Sequence, residues 1–359
     1  MQLAERGLRV LGLDRLTPPH KLGSSHGHVR LTRHAYYEDP VYVPLVRRAT
    51  ALWQQLSRWA PELDLLIPSG SLMIASPGCT LIEGSLRSAQ MHDVPHELLS
   101  ADEVTRRFPA VQPLDDMVAL FEPGSALLRP ERIVALQLDR ARKAGAALVF
   151  GDPLIGWDTT SRGIELRTEL ERYSAARLVL AVGAWMGAGL ANTPLPLQVE
   201  RQLQHWWTPV RLPDLFTPAR MPVTMWELND GRIFYTMPNV GEGVKVGWHH
   251  NGVMTTADTV SRDVAPHENA EIADLLRRFV PLAKGERVAQ ETCLYTNTPD
   301  GHFIIDKHPD TDRVTLVSAC SGHGFKFASV IGELVTCMVT GDRLAFDLAP
   351  FGLSRFNGL

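Results

Sequence analysis

Leu8-Arg9-Val10-Leu11-Gly12-Leu13-Asp14 is the stretch on which the fold turns. A short apolar run ending in a carboxylate reads as a buried strand, and Met1 to Gly7 ahead of it reads as the last turns of a helix stopped by a glycine. Helix, glycine, strand and acid in that order make the second half of a dinucleotide-binding βαβ unit, where the acid accepts hydrogen bonds from ribose hydroxyls. Any αβ unit with a surface Asp gives the same pattern, so the stretch alone leaves both readings open. No strand and no G-x-G-x-x-G loop precede Met1, although that loop is what brings backbone N–H groups against a pyrophosphate. Roughly twenty residues would supply them, so the sequence is expected to be a truncated or wrongly started form of a longer chain.

Working outward, Leu45, Ala49, Leu52, Trp53 and Leu56 share one helical face, which predicts an amphipathic helix after Pro44. From Leu63 to Leu128 the runs shorten into strands such as Ser71-Leu72-Met73-Ile74-Ala75, with a helix opened by the capping box Ser100-x-x-Glu103. Pro130 begins a helix that Gly145 stops, Ala146 to Phe150 is a strand, and Arg177 to Val182 is another that runs into Gly183. Residues 197–289 mix strands with a helix carrying Ile272, Leu275, Leu276 and Phe279 on one face. Val314 to Val317 is the last buried strand, followed by Ser321-Gly322-His323-Gly324 and a helix from about Phe325 to Val339. The prediction is an α/β protein: a nucleotide-binding, Rossmann-like domain over 1–62, 128–196 and 290–359, interleaved with an α+β lobe over 63–127 and 197–289.

The 359 residues are 45% hydrophobic and 21% charged, which excludes disorder and fibrous folds. A net charge of -4 offers no basic footprint, so nucleic acid is not expected as a partner. Leu178 to Val199, the least charged stretch, is broken by three glycines and two prolines, so no membrane span is expected. Cys79, Cys293, Cys320 and Cys337 form no C-x-x-C pair and no secretory signal precedes them, which points to free thiols in a cytoplasm.

Gly23 to His34 gathers His26, His28, His34, Arg30 and Arg33 in one loop. Two arginines beside a dication, with no carboxylate or cysteine to complete the set, argue against a metal and for an anion or an electron-rich ring. A solvated basic loop explains the segment equally well when it stands alone. Lys245, Gly247 and His249 face one way from a strand, as do Cys293 and Tyr295. A strand lysine is more commonly on the solvent face, and an isolated cysteine is more commonly an inert small hydrophobe.

These segments, in this order, resemble the flavoprotein family of monomeric sarcosine oxidase and N-methyl-tryptophan oxidase. The likeness runs from Gly7 to the C-terminus through Pro18-Pro19-His20, Gly23 to Tyr36, Val182-Gly183-Ala184-Trp185, Lys245-x-Gly-x-His249, Cys293-x-Tyr295, Phe303 to Asp306, Ser321 to Phe327 and Phe351-x-Leu-Ser-Arg355-Phe356. The tail and Lys326 to Val330 look closest to the N-methyl-tryptophan branch.

The resemblance implies a monomeric amine oxidase that holds FAD between the two domains. It would oxidatively demethylate an N-methyl L-amino acid, with oxygen as acceptor and with hydrogen peroxide and formaldehyde released. The alternatives are an oxidase of a cyclic or primary amino acid, such as pipecolate or glycine, and a remnant unable to hold FAD. It implies that Arg33 and Lys326 clamp the substrate carboxylate, that Tyr235, His249 and Tyr295 line the substrate cavity, and that Lys245 assists the reaction with oxygen. His26 and Arg30 would lie on the flavin face, Cys293 would carry the flavin covalently, Asp14 would hold the ribose, and Gly183, Gly322 and Gly324 would let the backbone approach the cofactor. The sequence departs from the family at its start and at Ser25-His26, where relatives often have two histidines.

Overall fold

Alternation along the strands decides which side chains meet. In Ser71–Ala75, Leu72 and Ile74 enter one apolar core while Met73 and Ala75 enter another, as the two-residue period of a strand requires. A computed structural model describes residues 1–356 and places this strand inside a nine-stranded sheet. The order across it is Val253–Thr255, Gln198–Trp207, Val244–His249, Ile233–Met237, Val223–Glu227, Ser71–Ala75, Val118–Glu122 and Glu97–Ser100, and Arg287–Asn297 pairs along Gln198–Trp207.

One face of this sheet is covered by the helix Pro266–Phe279, whose Ile272, Leu276 and Phe279 pack with Trp226, Phe234, Val244 and Val246. The other face carries Met73, Leu120, Met225 and Met237 toward the helices Tyr42–Trp59 and Ala328–Thr340. Each large apolar side chain buried this way stabilises the fold by about 1.5–3 kcal/mol. The helix expected after Pro44 begins at Tyr42. Pro44 falls in its first turn, where backbone amides have no acceptor within the helix, so the missing N–H is tolerated. Ser100 and Glu103 form the expected capping box on Ala101–Arg107.

The remaining strands build the α/β part. Leu11–Asp14 runs parallel to Ala147–Phe150, and Leu178–Leu180 runs parallel to Thr311–Ser318, whose other edge takes Ile304–His308 antiparallel. Among the described residues, the second edge of Leu11–Asp14 and that of Leu178–Leu180 have no strand partner. The boundary expected at residue 290 falls inside Arg287–Asn297, a strand of the large sheet, and residues 357–359 of that segment lie outside the described residues. Among the described residues no helix is long and apolar enough to cross a membrane.

Candidate active site

Val244 and Val246 belong to the helix-covered core, so Lys245, Gly247 and His249 point from the opposite face. Lys245 is 1% exposed, against the commoner solvent-facing outcome for a strand lysine. Its Nζ donates to the carbonyls of Gly27 at 2.9 Å and Val29 at 3.1 Å, which replace water. Burial, and then the charge of Arg30, hold its pKa well below the ordinary lysine range. Gly247 leaves room for Tyr235, because a Cβ there would stand 2.7 Å from the phenol oxygen.

Beside this strand lies a cavity lined by Arg30, Arg33, Tyr235, His249, Cys293, Tyr295, Gly322 and Lys326. Arg30 donates to Ser24 O at 3.1 Å, to Gln204 Oε1 at 3.2 Å and toward Cys293 Sγ at 3.7 Å. Burial pushes the Cys293 thiol up. The neighbouring His26 ring and the charges of Arg30 and Lys245 outweigh it and bring the pKa down to about 7. His26 is fully buried, with Nδ1 3.1 Å from Glu291 Oε2 and Nε2 without a partner. The three histidines of the loop diverge: His34 turns to Glu122 at 2.8 Å and His28 packs edge-on to Trp206. Among the described residues, no group of three or more His, Cys, Asp or Glu is placed to hold a metal ion.

Arg33 and Lys326 both lie against the Tyr36 ring. Arg33 is not free: its Nη2 donates to both oxygens of Glu38, at 2.8 and 2.6 Å, and its Nη1 to Ala35 O. Lys326 Nζ donates to His323 O at 2.8 Å; burial and the charge of Arg33, opposed by Glu38, lower its pKa to about 7. His323 Nε2 lies 3.1 Å from Gly301 O, so that nitrogen carries the hydrogen and Nδ1 accepts from the Tyr36 hydroxyl at 2.6 Å. Burial pushes the His323 pKa down to about 3, which keeps the ring neutral. Burial, then the neighbouring charge of His250, likewise holds His249 well below the usual range. Glu38, Glu291 and Gln204 were not anticipated from the sequence; Glu291 alone left a signal, since it shares a strand face with Cys293 and Tyr295.

Asp14 and Gly183 line a second cavity, with Pro18, His20 and Ser24, at the carboxyl ends of Leu11–Asp14 and Leu178–Leu180. The Ser24 carbonyl that bounds it is the acceptor for Arg30 at the edge of the first cavity. These residues fit an extended dinucleotide. A Cβ on Gly183 would meet nothing within 4 Å, Asp14 uses Oδ1 on Leu16 N at 2.8 Å with Oδ2 left over, and the buried Nε2 atoms of His26 and Gln204 want polar partners. Gly322 makes room for rings, because a Cβ there would come 2.7 Å from His250 and 2.8 Å from Tyr295. Gly324 packs on its own loop, 1.7 Å from Ala319 O if a Cβ were added, so close backbone packing within the loop accounts for it.

The model of a family described as DAO, FAD dependent oxidoreductase, matches residues 1–338. The chain belongs to this FAD dependent oxidoreductase family. Monomeric sarcosine oxidase of Streptomyces avermitilis is 40% identical over 357 residues, covering 98% of this chain and 93% of that protein. N-methyl-L-tryptophan oxidase of Yersinia pestis is 33% identical over 357 residues, covering 99% and 94%. Among solved structures, the open form of NikD, an unusual amino acid oxidase essential for nikkomycin biosynthesis, superposes with a TM-score of 0.85 at 22% identity over 98% of this chain and 92% of that one, a likeness of fold. As a family member the chain is an FAD-dependent oxidoreductase acting on the CH–NH group of donors, and amino-acid oxidation is its chemistry.

Proposed function

We propose that the chain oxidatively demethylates an N-methyl L-amino acid of the sarcosine or N-methyl-tryptophan type. The amino acid, dioxygen and water would give the demethylated amino acid, formaldehyde and hydrogen peroxide. The observation that carries this reading is a cavity with two buried cations, Arg33 and Lys326, on one aromatic ring, and with a third, Arg30, beside Cys293. Two cations suit one carboxylate. When bound, FAD supplies the acceptor for a hydride equivalent and passes the electrons to oxygen.

The chain's own groups then have distinct tasks. Lys326, with its proton loosely held, gains a counter-ion when a carboxylate enters, and Arg33 contributes once that carboxylate competes with Glu38. Neutral His249 and His323 add no repulsive charge for an amine to meet. Tyr235, His249 and Tyr295 form walls that hold the reacting carbon in place, and positioning of this kind supplies much of the rate. Lys245, anchored by two carbonyls in a dry site, is placed to stabilise negative charge as oxygen is reduced, and His26 and Arg30 to stabilise it on the reduced cofactor. Asp14 and Gly183 would receive the ribose end, and Cys293 would form a thioether to the ring. Gly322 and Gly324 shape the loop and would let its backbone approach the cofactor. A monomer in the cytoplasm completes the proposal.

The test is peroxide release across sarcosine, N-methyl-L-tryptophan, pipecolate and glycine, with formaldehyde measured in parallel. Peroxide and formaldehyde in equal amounts from an N-methyl substrate support the reading. Peroxide from pipecolate or glycine alone replaces it with the oxidase of a cyclic or primary amino acid.

A further inference from the structure

Glu131 stands in the first turn of the helix Pro130–Lys143 and takes no part in the chemistry described above. Its Oε1 accepts two backbone hydrogens, from Gly27 N at 2.6 Å and from His28 N at 3.0 Å. The Gly27 carbonyl in turn accepts from Lys245 Nζ at 2.9 Å. We infer that Glu131 is a positioning residue: through the one peptide group that joins Gly27 to His28, it fixes and polarises the carbonyl on which the Lys245 ammonium rests.

The shape of a peptide carries the argument. A trans peptide is planar, so its C=O and N–H point in opposite directions. The Gly27 carbonyl and the His28 N–H belong to the same trans group. Its negative end therefore meets the ammonium of Lys245 and its positive end meets the carboxylate of Glu131. Each charge strengthens the hydrogen bond made by the other, because both polarise the peptide in one sense. Among the described residues the hydrogen bonds of Lys245 Nζ go to the carbonyls of Gly27 and Val29, so a carboxylate supports this cation through the backbone.

The turn also needs a clamp. Gly27 has a φ of 98° and His28 one of 64°, and Val29 N donates back to the Gly27 carbonyl at 2.7 Å, which makes a γ-turn of the strained kind centred on His28. A residue with a side chain persists at positive φ where its surroundings over-determine it. Glu131 constrains the turn through two amides, and the Gln204 side chain fills the place that a Cβ on Gly27 would take. Burial raises the Glu131 pKa, and the backbone amide bonds with the charge of Arg30 outweigh it, so the carboxylate is ionised.

A held Lys245 keeps its charge where oxygen would be reduced, a consequence that rests on the function proposed above; the hold on Lys245 does not. The experiment follows turn and lysine separately in the purified chain. Hydrogen–deuterium exchange reads the Gly27 and His28 amides, and acetic anhydride labelling with peptide mass spectrometry reads Lys245 apart from the other lysines. Glu131→Ala should exchange both amides at least about tenfold faster, as the loss of charge-assisted contacts implies, and should acetylate Lys245 faster as well. Glu131→Gln should lie between wild type and Glu131→Ala, because both amides end on one oxygen and a neutral amide oxygen can still accept them. In flavin-loaded protein, Glu131→Ala should slow reoxidation by oxygen, leave flavin reduction nearly intact, and add little in a Lys245→Met background.

Faster amide exchange with Lys245 acetylated at the wild-type rate overturns the inference, since Glu131 then only staples the loop. Unchanged exchange overturns it too, as does full additivity with Lys245→Met. If Glu131→Ala does not fold, Glu131→Gln decides: exchange and acetylation both faster than wild type uphold the inference, and a wild-type rate in either overturns it. A chain that never turns yellow removes the proposed oxidase function while leaving exchange and acetylation able to decide this one.

Discussion

Raising the pH should loosen the hold on a substrate carboxylate, and Lys326 sets where this happens. With a pKa of about 7, its ammonium is half protonated near neutrality and falls about tenfold for each further pH unit. A simple carboxylate such as propionate, which has no amine of its own to titrate, should therefore inhibit competitively with a Ki that rises roughly five- to sixfold from about pH 7 to 8 and levels off once the full worth of the contact is lost. Below the pKa the cation is fully present and the Ki should level off. Lys326→Met removes a charge-assisted contact worth about 1.5–3 kcal/mol, so at about pH 6 the Ki should rise roughly tenfold to a hundredfold and its slope with pH should vanish. The assay is steady-state inhibition of oxygen consumption. A wild-type Ki that stays flat through the alkaline range, or a slope that survives in Lys326→Met, refutes the reasoning.

Lys245→Met should leave flavin reduction by substrate nearly intact and slow reoxidation by oxygen severely; equal slowing of both half-reactions in stopped flow would reject the oxygen role. Cys293→Ser should release all yellow colour into the supernatant on acid precipitation, while wild type keeps it in the pellet. His205 is buried, both its ring nitrogens lack partners, and burial drives its pKa down to about 4. Above the free value of about 6.5 neither folded nor unfolded chain binds this proton, and below it only the unfolded chain does, so stability falls by about 1.4 kcal/mol per pH unit until the folded pKa is reached. His205→Phe should flatten part of that acid limb in urea melts, and an unchanged limb would show that the ring finds a partner in solution.

Much of this was legible in the chain because strand alternation is a local property. Lys245 and His249, or Cys293 and Tyr295, share a side in any strand, and the helix faces at Leu45 and Ile272 need only a period of three to four. That Lys245 is buried was not legible, because it depends on both faces of the large sheet being covered. Glu38 pairs with Arg33 through a loop with no periodic pattern, and Lys21 reaches Glu291 across most of the chain. At Gly324 the sequence reports only that a Cβ is excluded; that Ala319 O is an excluding atom depends on how the loop folds.

Because the large sheet is packed on both sides, neighbouring positions answer to different selection pressures. Met225, Tyr235 and Met237 shape the chamber where an amine would sit, while Trp226, Phe234 and Val246, one step away, interlock with the helix behind. Substrate preference can thus drift through one set of codons while the other keeps the scaffold intact, which makes this face a natural starting point for redirecting the catalyst to bulkier amines.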